Sequence, residues 1–226
     1  DDAITGGGNL EVLATGGSSS YLTLQSGNNV LGELRILQGG LTVSSSGNSF
    51  TGITIGGTEI NQNMDLNLNG NNTISGDVNV TGDFSTALSL VDVLGNNPVG
   101  GNISINQATF RLRNGGTIGT PGSITLAGRA ANSGEFIIDN GATANGNRVG
   151  DTTQFISNGG RFNFNAGAST SETLGKLTLA QGELHIAHAG SGTLTFSSTA
   201  DRQEGTTLAI TRADIGANAF AVDDQT

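Results

Sequence analysis

Residues 155–164 read FISNGGRFNF, and this stretch decides the fold class. Apolar and polar residues alternate on both sides of its glycine pair, and a period of two is typical of half-buried β-strands. Asn158, Gly159 and Gly160 tolerate the left-handed backbone of a tight corner. The stretch therefore predicts two short strands joined at a corner, with the inward residues Phe155 and Phe162 seven positions apart.

The same unit recurs along the chain. Four more pairs of inward residues are seven positions apart: Leu34 and Leu41, Ile53 and Ile60, Ile103 and Phe110, and Leu177 and Leu184. The spacing from Leu34 to Ile103 equals three steps of 23 residues, Ile103 to Phe155 equals two steps of 26, and Phe155 to Leu177 is 22. One coil of a β-solenoid needs a repeat of about this length. The sequence therefore predicts an all-β parallel β-helix of about ten coils, in one continuous domain over residues 1–226.

Five Asn-Gly dipeptides support a different, antiparallel arrangement, because Asn-Gly is the strongest short signal for a hairpin. They begin at Asn69, Asn114, Asn140, Asn145 and Asn158. An antiparallel β-sandwich or a fibre-like β-prism is therefore the alternative fold. The dipeptides do not lie midway between equal alternating runs, whereas the seven-residue pairs recur at the length of a coil. This difference favours the solenoid.

Charge and composition exclude several classes of partner. The net charge of −10 argues against nucleic acid and anionic lipid, since both are bound through Lys and Arg. No apolar run approaches the length of a membrane span, so we expect no membrane insertion. Without cysteine the chain has neither disulfides nor thiolate metal sites. The start at Asp1, with no initiator Met, is interpreted as a mature end or an excerpt from a longer chain.

Several stretches in the second half resemble a known family. They are residues 147–152 (NRVGDT), 155–164, 172–179 (ETLGKLTL) and 192–196 (GTLTF). Residues 100–216 in particular resemble the autotransporter-associated β-strand repeat of large bacterial surface proteins. The resemblance implies a right-handed parallel β-helix located outside the cell. It brings no catalytic residues with it.

The candidates for chemistry are few. His185 and His188 are the only histidines, and a spacing of three on a strand places them on opposite faces, so we interpret both as solvated surface residues. Glu183 shares the outward face of His185, which gives two metal ligands at most. The acidic residues are scattered instead of paired as glycoside hydrolysis requires. We therefore predict no enzyme, no catalytic or metal site and no cofactor.

Arg111 and Arg113 lie on one outward face of a predicted strand, and they are candidates for contact with an acidic glycan. A carbohydrate-binding or carbohydrate-cleaving β-helix is therefore an alternative function. A segment of a phage tail fibre is another, and it would be an obligate trimer.

The two ends of the predicted rod carry ordinary strands instead of a capping helix or a shield of charges. End coils without caps expose apolar core and strand edges. Leu10, Val12, Phe220 and Val222 are therefore candidates for end-to-end contacts. The sequence predicts a structural protein at the cell surface or outside the cell, a rod of a bacterial fibre, filament or adhesin. Its expected partners are further copies of itself or further coils of a longer chain, and surface glycans.

Overall fold

A computed structural model describes residues 3–13, 21–56, 64–82, 89–129 and 132–212. These ranges contain 17 β-strands, and no helix in them is long and apolar enough to cross a membrane. The strands are β1 (Leu10–Leu13), β2 (Tyr21–Leu24), β3 (Val30–Val43), β4 (Ser49–Ile55), β5 (Met64–Leu68), β6 (Thr73–Ile74), β7 (Val78–Thr81), β8 (Leu90–Val93), β9 (Ile103–Asn106), β10 (Thr109–Leu112), β11 (Ser123–Arg129), β12 (Asn132–Ser133), β13 (Glu135–Asp139), β14 (Gln154–Asn165), β15 (Glu172–Ala189), β16 (Leu194–Arg202) and β17 (Thr207–Arg212).

The strands stack in parallel, level upon level, along two long ladders and one shorter one. The first ladder joins Leu10, Leu34, Ile53, Val78, Ile103, Ile124, Phe155 and Leu177. The second ladder joins Leu22, Leu41, Leu66, Val91, Phe110, Phe136, Phe162, Ile186 and Ile210. The third ladder joins Leu31, Phe50, Ile74 and Val99. The chain thus winds once per level, and the parallel β-solenoid is confirmed.

Antiparallel pairing is confined to one short contact in the described ranges, between β11 and β12. It joins two residue pairs, Gly128 with Ser133 and Arg129 with Asn132. The antiparallel sandwich and prism are therefore wrong for this part of the chain. The Asn-Gly dipeptides lie at corners and surface turns instead, where the same backbone freedom serves a different connection.

The repeat steps predicted from the sequence are confirmed in number but not in length. Three levels lead from Leu34 to Ile103 and two from Ile103 to Phe155. The turns take from 19 residues, between Leu34 and Ile53, to 31, between Ile124 and Phe155. The described ranges form about seven turns, so the prediction of ten coils is wrong. That prediction assumed steps of 22 to 26 residues over all 226 residues, whereas one turn takes 31 residues and residues 213–226 lie outside the described ranges.

The four seven-residue pairs that lie wholly in the described ranges bridge the corner between the first and second ladders. The pairs at Leu34, Ile103, Phe155 and Leu177 are buried as predicted. Ile60 lies outside the described residues, and Leu66 is the residue that stacks on Leu41. Four of these corners turn through a residue with positive φ: Gly39 (80°), Gln107 (54°), Gly159 (89°) and Gly182 (65°). Gln107 thus adopts a backbone conformation that the other three corners give to glycine.

The core consists of the inward side chains, which stack along the rod and are nearly all inaccessible to solvent. It changes from aliphatic to aromatic along the rod. The rings of Phe155 and Phe162 lie 5.0 Å apart between centroids, and those of Phe136 and Phe162 lie 5.4 Å apart. Such offset and tilted rings add to the apolar burial that stabilises the stack. The parallel ladders run on through residues 94–101, where the pairing of Ile74 with Val99 continues the third ladder.

Candidate functional site

Arg111 and Arg113 both bind one carboxylate. Strands β8 and β10 place Asp92 beside Arg111 in register. Arg111 Nη2 donates to Asp92 Oδ2 at 2.8 Å, and Arg113 Nε donates to the same oxygen at 2.7 Å. Both guanidinium groups stay partly exposed while Asp92 is buried beneath them. Glycan contact by Arg111 and Arg113 stays a prediction, and Asp92 offsets one of the two positive charges.

The environment of Asp92 is that of a structural ion cluster. Burial alone would raise the pKa of Asp92, but the hydrogen bonds and charges of Arg111 and Arg113 outweigh it and hold the pKa below its usual 3.8. The hydrogen bond to Asp92 in turn raises the pKa of Arg113. The cluster therefore stays ionised at neutral pH and joins two neighbouring levels of the second ladder.

The two predicted contacts at the N-terminal end are part of the core. Val12 is buried, and Leu10 is partly buried against the same cluster of apolar residues. Phe220 and Val222 lie outside the described residues. The exposed apolar residues of the first level are Ile4, Leu13 and Leu22, which sequence reasoning did not single out.

The two histidines lie on opposite faces of β15, as predicted. Nε2 of His185 lies 2.8 Å from Thr211 Oγ1 on the outward side. His188 is half-buried, so its interpretation as a solvated residue is wrong: its ring packs 5.3 Å from that of Phe164, and its Nε2 lies 3.0 Å from the carbonyl oxygen of Gly192. The described residues hold no group of three or more His, Asp or Glu side chains arranged around a metal ion.

A ladder of buried asparagines runs along the corner that precedes the third ladder of strands. Asn29 Nδ2 donates to Asn48 Oδ1 at 2.7 Å, Asn48 Nδ2 to Asn72 Oδ1 at 2.7 Å, and Asn72 Nδ2 to Asn97 Oδ1 at 2.9 Å. The backbone N–H groups of Asn29 and Asn48 donate to the side-chain oxygen one level on. Each amide thus satisfies buried polar groups on two adjacent levels.

Arg148 and Glu172 occupy the continuation of this corner in the second half of the rod. Glu172 Oε2 accepts from the backbone N–H of Arg148 at 3.2 Å, and Oε1 accepts from that of Val149 at 2.9 Å. Glu172 therefore accepts hydrogen bonds from backbone N–H groups of the preceding level, as Asn48 Oδ1 accepts one from the backbone N–H of Asn29. Both side chains are buried, Arg148 with 0 % and Glu172 with 1 % of its surface exposed.

The guanidinium of Arg148 donates hydrogen bonds to two stretches of the chain, residues 114–116 and 139–143. Its Nη1 donates to the carbonyl of Gly116 at 2.8 Å, and its Nε donates to Asn140 Oδ1 at 2.6 Å. Its Nη2 donates to the carbonyls of Asn114 at 2.7 Å and Thr143 at 2.8 Å. The longest turn of the solenoid is thereby fastened to the level before it.

The burial of Glu172 predicts a pH-dependent stability. Burial raises the pKa of Glu172 from 4.5 to about 7, against the opposing effect of the two backbone N–H groups and of Arg148. A raised carboxyl pKa means that the folded protein binds the proton more tightly than the unfolded chain. The contribution of Glu172 to the free energy of unfolding is therefore fully present below pH 4.5, and it should fall by about 3 kcal/mol as the pH rises to 7.

Urea unfolding between pH 4 and pH 8 measures this slope. Glu172→Gln should remove most of it, because the substituted side chain does not titrate. Glu183→Gln, at an exposed glutamate, is the matched control and should keep the wild-type slope. Equal slopes for the wild type and Glu172→Gln would contradict the prediction.

A groove of about 1070 Å³ runs along the corner between the first and second ladders, in the second half of the rod. It crosses four levels of the solenoid, and its lining is built from the polar residues and glycines of successive corners: Asn106, Gln107, Asn158, Gly159, Gln181 and Gly182. The sequence predicted these corners as connections only. The recurrence of an amide side chain beside the corner at three of the four levels was the signal that could have indicated a polar surface.

No family model, no curated protein and no solved structure matches the chain.

Proposed function

We propose that the chain is a structural rod of a bacterial surface fibre or filament outside the cell, extended by head-to-tail stacking of its end levels on further copies of the chain. The observation that carries the proposal is the apolar surface at the two ends of the described rod. Apolar side chains there are about half-exposed: Ile4 and Leu22 at one end, and Ile210 at the other, with exposed fractions between 45 % and 49 %.

Leu22 and Ile210 show why these ends attract a partner. Both belong to the second ladder, whose inner members are fully buried. Leu22 stacks on Leu41, and Ile210 stacks on Ile186, each from one side only within the described residues. A further level would cover them as Leu66 covers Leu41. Both residues are therefore core positions whose second side has no apolar neighbour among the described residues.

The backbone of the end strands points to the same mode of assembly. Among the described strands, β1 and β2 pair only with β3, and β17 pairs only with β15. An open strand edge is a template for another parallel strand. Contacts from one end to the opposite end of the next copy do not close, so they generate a filament. The resemblance to the autotransporter-associated repeat supports a right-handed winding and an extracellular location.

Electron microscopy and sedimentation of the purified chain test the proposal, with charges placed in the apolar ends. We expect concentration-dependent fibres with an axial repeat of about 35–45 Å, from about seven turns at a strand spacing of ~4.8 Å plus the end levels. Leu22→Glu or Ile210→Glu should weaken self-association by at least about tenfold, because each buries a charge in the junction. Each variant keeps one unaltered end, and these two ends can join each other when the variants are mixed. The mixture should therefore give dimers, whose outer ends are both altered, and no fibres.

Asn79→Glu is the matched control, since Asn79 is exposed on the side of the rod in β7. It should leave fibre formation unchanged. A chain that remains monomeric over a wide concentration range would overturn the proposal. Fibres that persist in both end variants would overturn the head-to-tail contact.

A further inference from the structure

The corner groove has a regular polar wall with one gap. The register places Ala127 directly between Asn106 on the level before it and Asn158 on the level after it, and Asn158 in turn pairs with Gln181. Three of the four levels therefore carry a side-chain amide at this position, and the fourth carries a methyl group. The small Ala127, followed by Gly128, leaves a recess in the row of amides.

Gln107 provides an independent sign of a missing partner. It lines the groove, only 5 % of its surface is exposed, and its Oε1 has no hydrogen-bond partner among the described residues. A buried amide oxygen without a donor costs about 1–3 kcal/mol. The residue also holds a positive φ of 54°, a conformation that is costly for a side chain other than Asn, Asp or Gly. Oε1 is sealed from solvent, so a ligand hydroxyl would offset the first of these costs only once the Gln107 side chain turns toward the groove.

The charges around the groove nearly balance. Its lining holds one cation, Arg161, and one anion, Glu183, together with His185. Arg161 also has Glu135 at 3.9 Å, from its Nε to the carboxylate Oε1. The groove thus differs from the Arg111 and Arg113 cluster, which carries an excess of positive charge. A ligand for the groove needs hydrogen-bond donors and acceptors along its length and no net charge.

We propose that this groove binds an extended, uncharged oligosaccharide lying along the axis of the rod. Successive levels are ~4.8 Å apart, which is close to the length of one sugar residue in an extended chain. Asn106, Asn158 and Gln181 would bind hydroxyls on the first, third and fourth of four successive sugars, since each amide both donates and accepts. The recess at Ala127 admits a ring substituent, and Gln107, with its side chain turned toward the groove, accepts a hydroxyl hydrogen bond at the base of the groove. The rod would then also act as an adhesin.

The binding site is tested with defined oligosaccharides by titration calorimetry and by NMR of the side-chain amides. The probes are cellohexaose, xylohexaose and chitohexaose as uncharged chains, and hexagalacturonate as a charged one. We expect a dissociation constant of about 1 mM or tighter for at least one uncharged probe, with shifts of the NH₂ signals of Asn106, Asn158 and Gln181. Binding of none of them, or of hexagalacturonate alone, overturns the proposal.

Ala127→Gln is the decisive variant, because it fills the recess with an amide and completes the row. It should weaken binding by at least about tenfold and leave thermal stability unchanged, since the position is partly exposed and on the outward side of β11. Thr125→Gln, two residues earlier on the same outward side, introduces the same side chain outside the groove and should leave binding unchanged. Equal affinity of the wild type and Ala127→Gln would place the ligand elsewhere and overturn the site.

Gln107→Gly separates a binding role from a corner role. Glycine adopts the positive φ of this position without strain, so the corner should be retained. Loss of affinity together with an intact fold supports the role of the Gln107 amide. Unchanged affinity would remove Gln107 from the site.

Discussion

Replacing Arg148 by methionine is expected to lower the free energy of unfolding by about 4 kcal/mol. Methionine approximates the length of the side chain but donates no hydrogen bond. The carbonyls of Gly116, Asn114 and Thr143 and the side-chain oxygen of Asn140 would then lose their buried donor together. Because the substitution also removes the positive charge near Glu172, the stability of the variant should depend more steeply on pH near neutrality.

Urea unfolding, combined with hydrogen exchange at the amides of Ile118 and Val149, measures the effect. Arg148→Lys should lose about half as much stability, since an ammonium keeps the charge but cannot reach all the acceptors of a planar guanidinium. Arg161→Met is the control: this arginine is exposed, with a 3.9 Å ion pair, and its loss should change stability by less than about 0.5 kcal/mol. A loss below about 1 kcal/mol for Arg148→Met would mean that the desolvation of the guanidinium cancels its hydrogen bonds.

The fold could be predicted because its signals are local. Alternation identifies each strand, and a corner between two inward residues that are seven positions apart identifies the joint, as at Phe155 and Phe162. The number of coils could not be predicted in the same way. Turns on the surface tolerate insertions, so the 31-residue turn between Ile124 and Phe155 leaves the core spacing unchanged while it alters the count.

The asparagine ladder could have been found from the sequence. Asn29, Asn48, Asn72 and Asn97 each stand two residues before an inward apolar residue of the third ladder, and they recur after 19, 24 and 25 residues. The burial of Arg148 and Glu172 had no comparable signal. It depends on residues 139–143 folding over the guanidinium. The path of one long turn determines that contact, and no repeated sequence pattern indicates it.

The pairing of Asp92 with Arg111 and Arg113 also required the register. Asp92 alternates with the inward residues Val91 and Val93 of β8, and this pattern does not indicate that its carboxylate is buried. Only the 19-residue step from Asp92 to Arg111 places the two side chains side by side. Side-chain contacts between levels depend on the lengths of the turns, and the alternation of apolar and polar residues in the strands does not predict those lengths.

Replacing Asn72 by alanine is expected to lower the free energy of unfolding by about 3 kcal/mol. Asn72 is the middle of the ladder: its Oδ1 accepts from the backbone N–H and the Nδ2 of Asn48, and its Nδ2 donates to Asn97 Oδ1 and to the carbonyl of Gly70. Alanine would leave donors on one level and acceptors on another unpaired in a dry interior. Water cannot replace them without opening the stack.

Asn72→Asp distinguishes a hydrogen-bond role from a packing role, because it keeps the shape and removes the donor. The ionised carboxylate faces Asn97 Oδ1 across 2.9 Å, so Asn72→Asp should be at least as destabilised as Asn72→Ala at pH 7 and should recover part of the loss at low pH, where the protonated acid donates again. Asn69→Ala, at an exposed asparagine of the same coil, is the control and should change stability by less than about 0.5 kcal/mol. If Asn72→Ala were as mild as this control, the ladder would contribute register between levels and no net stability, since its desolvation would then equal its hydrogen bonding.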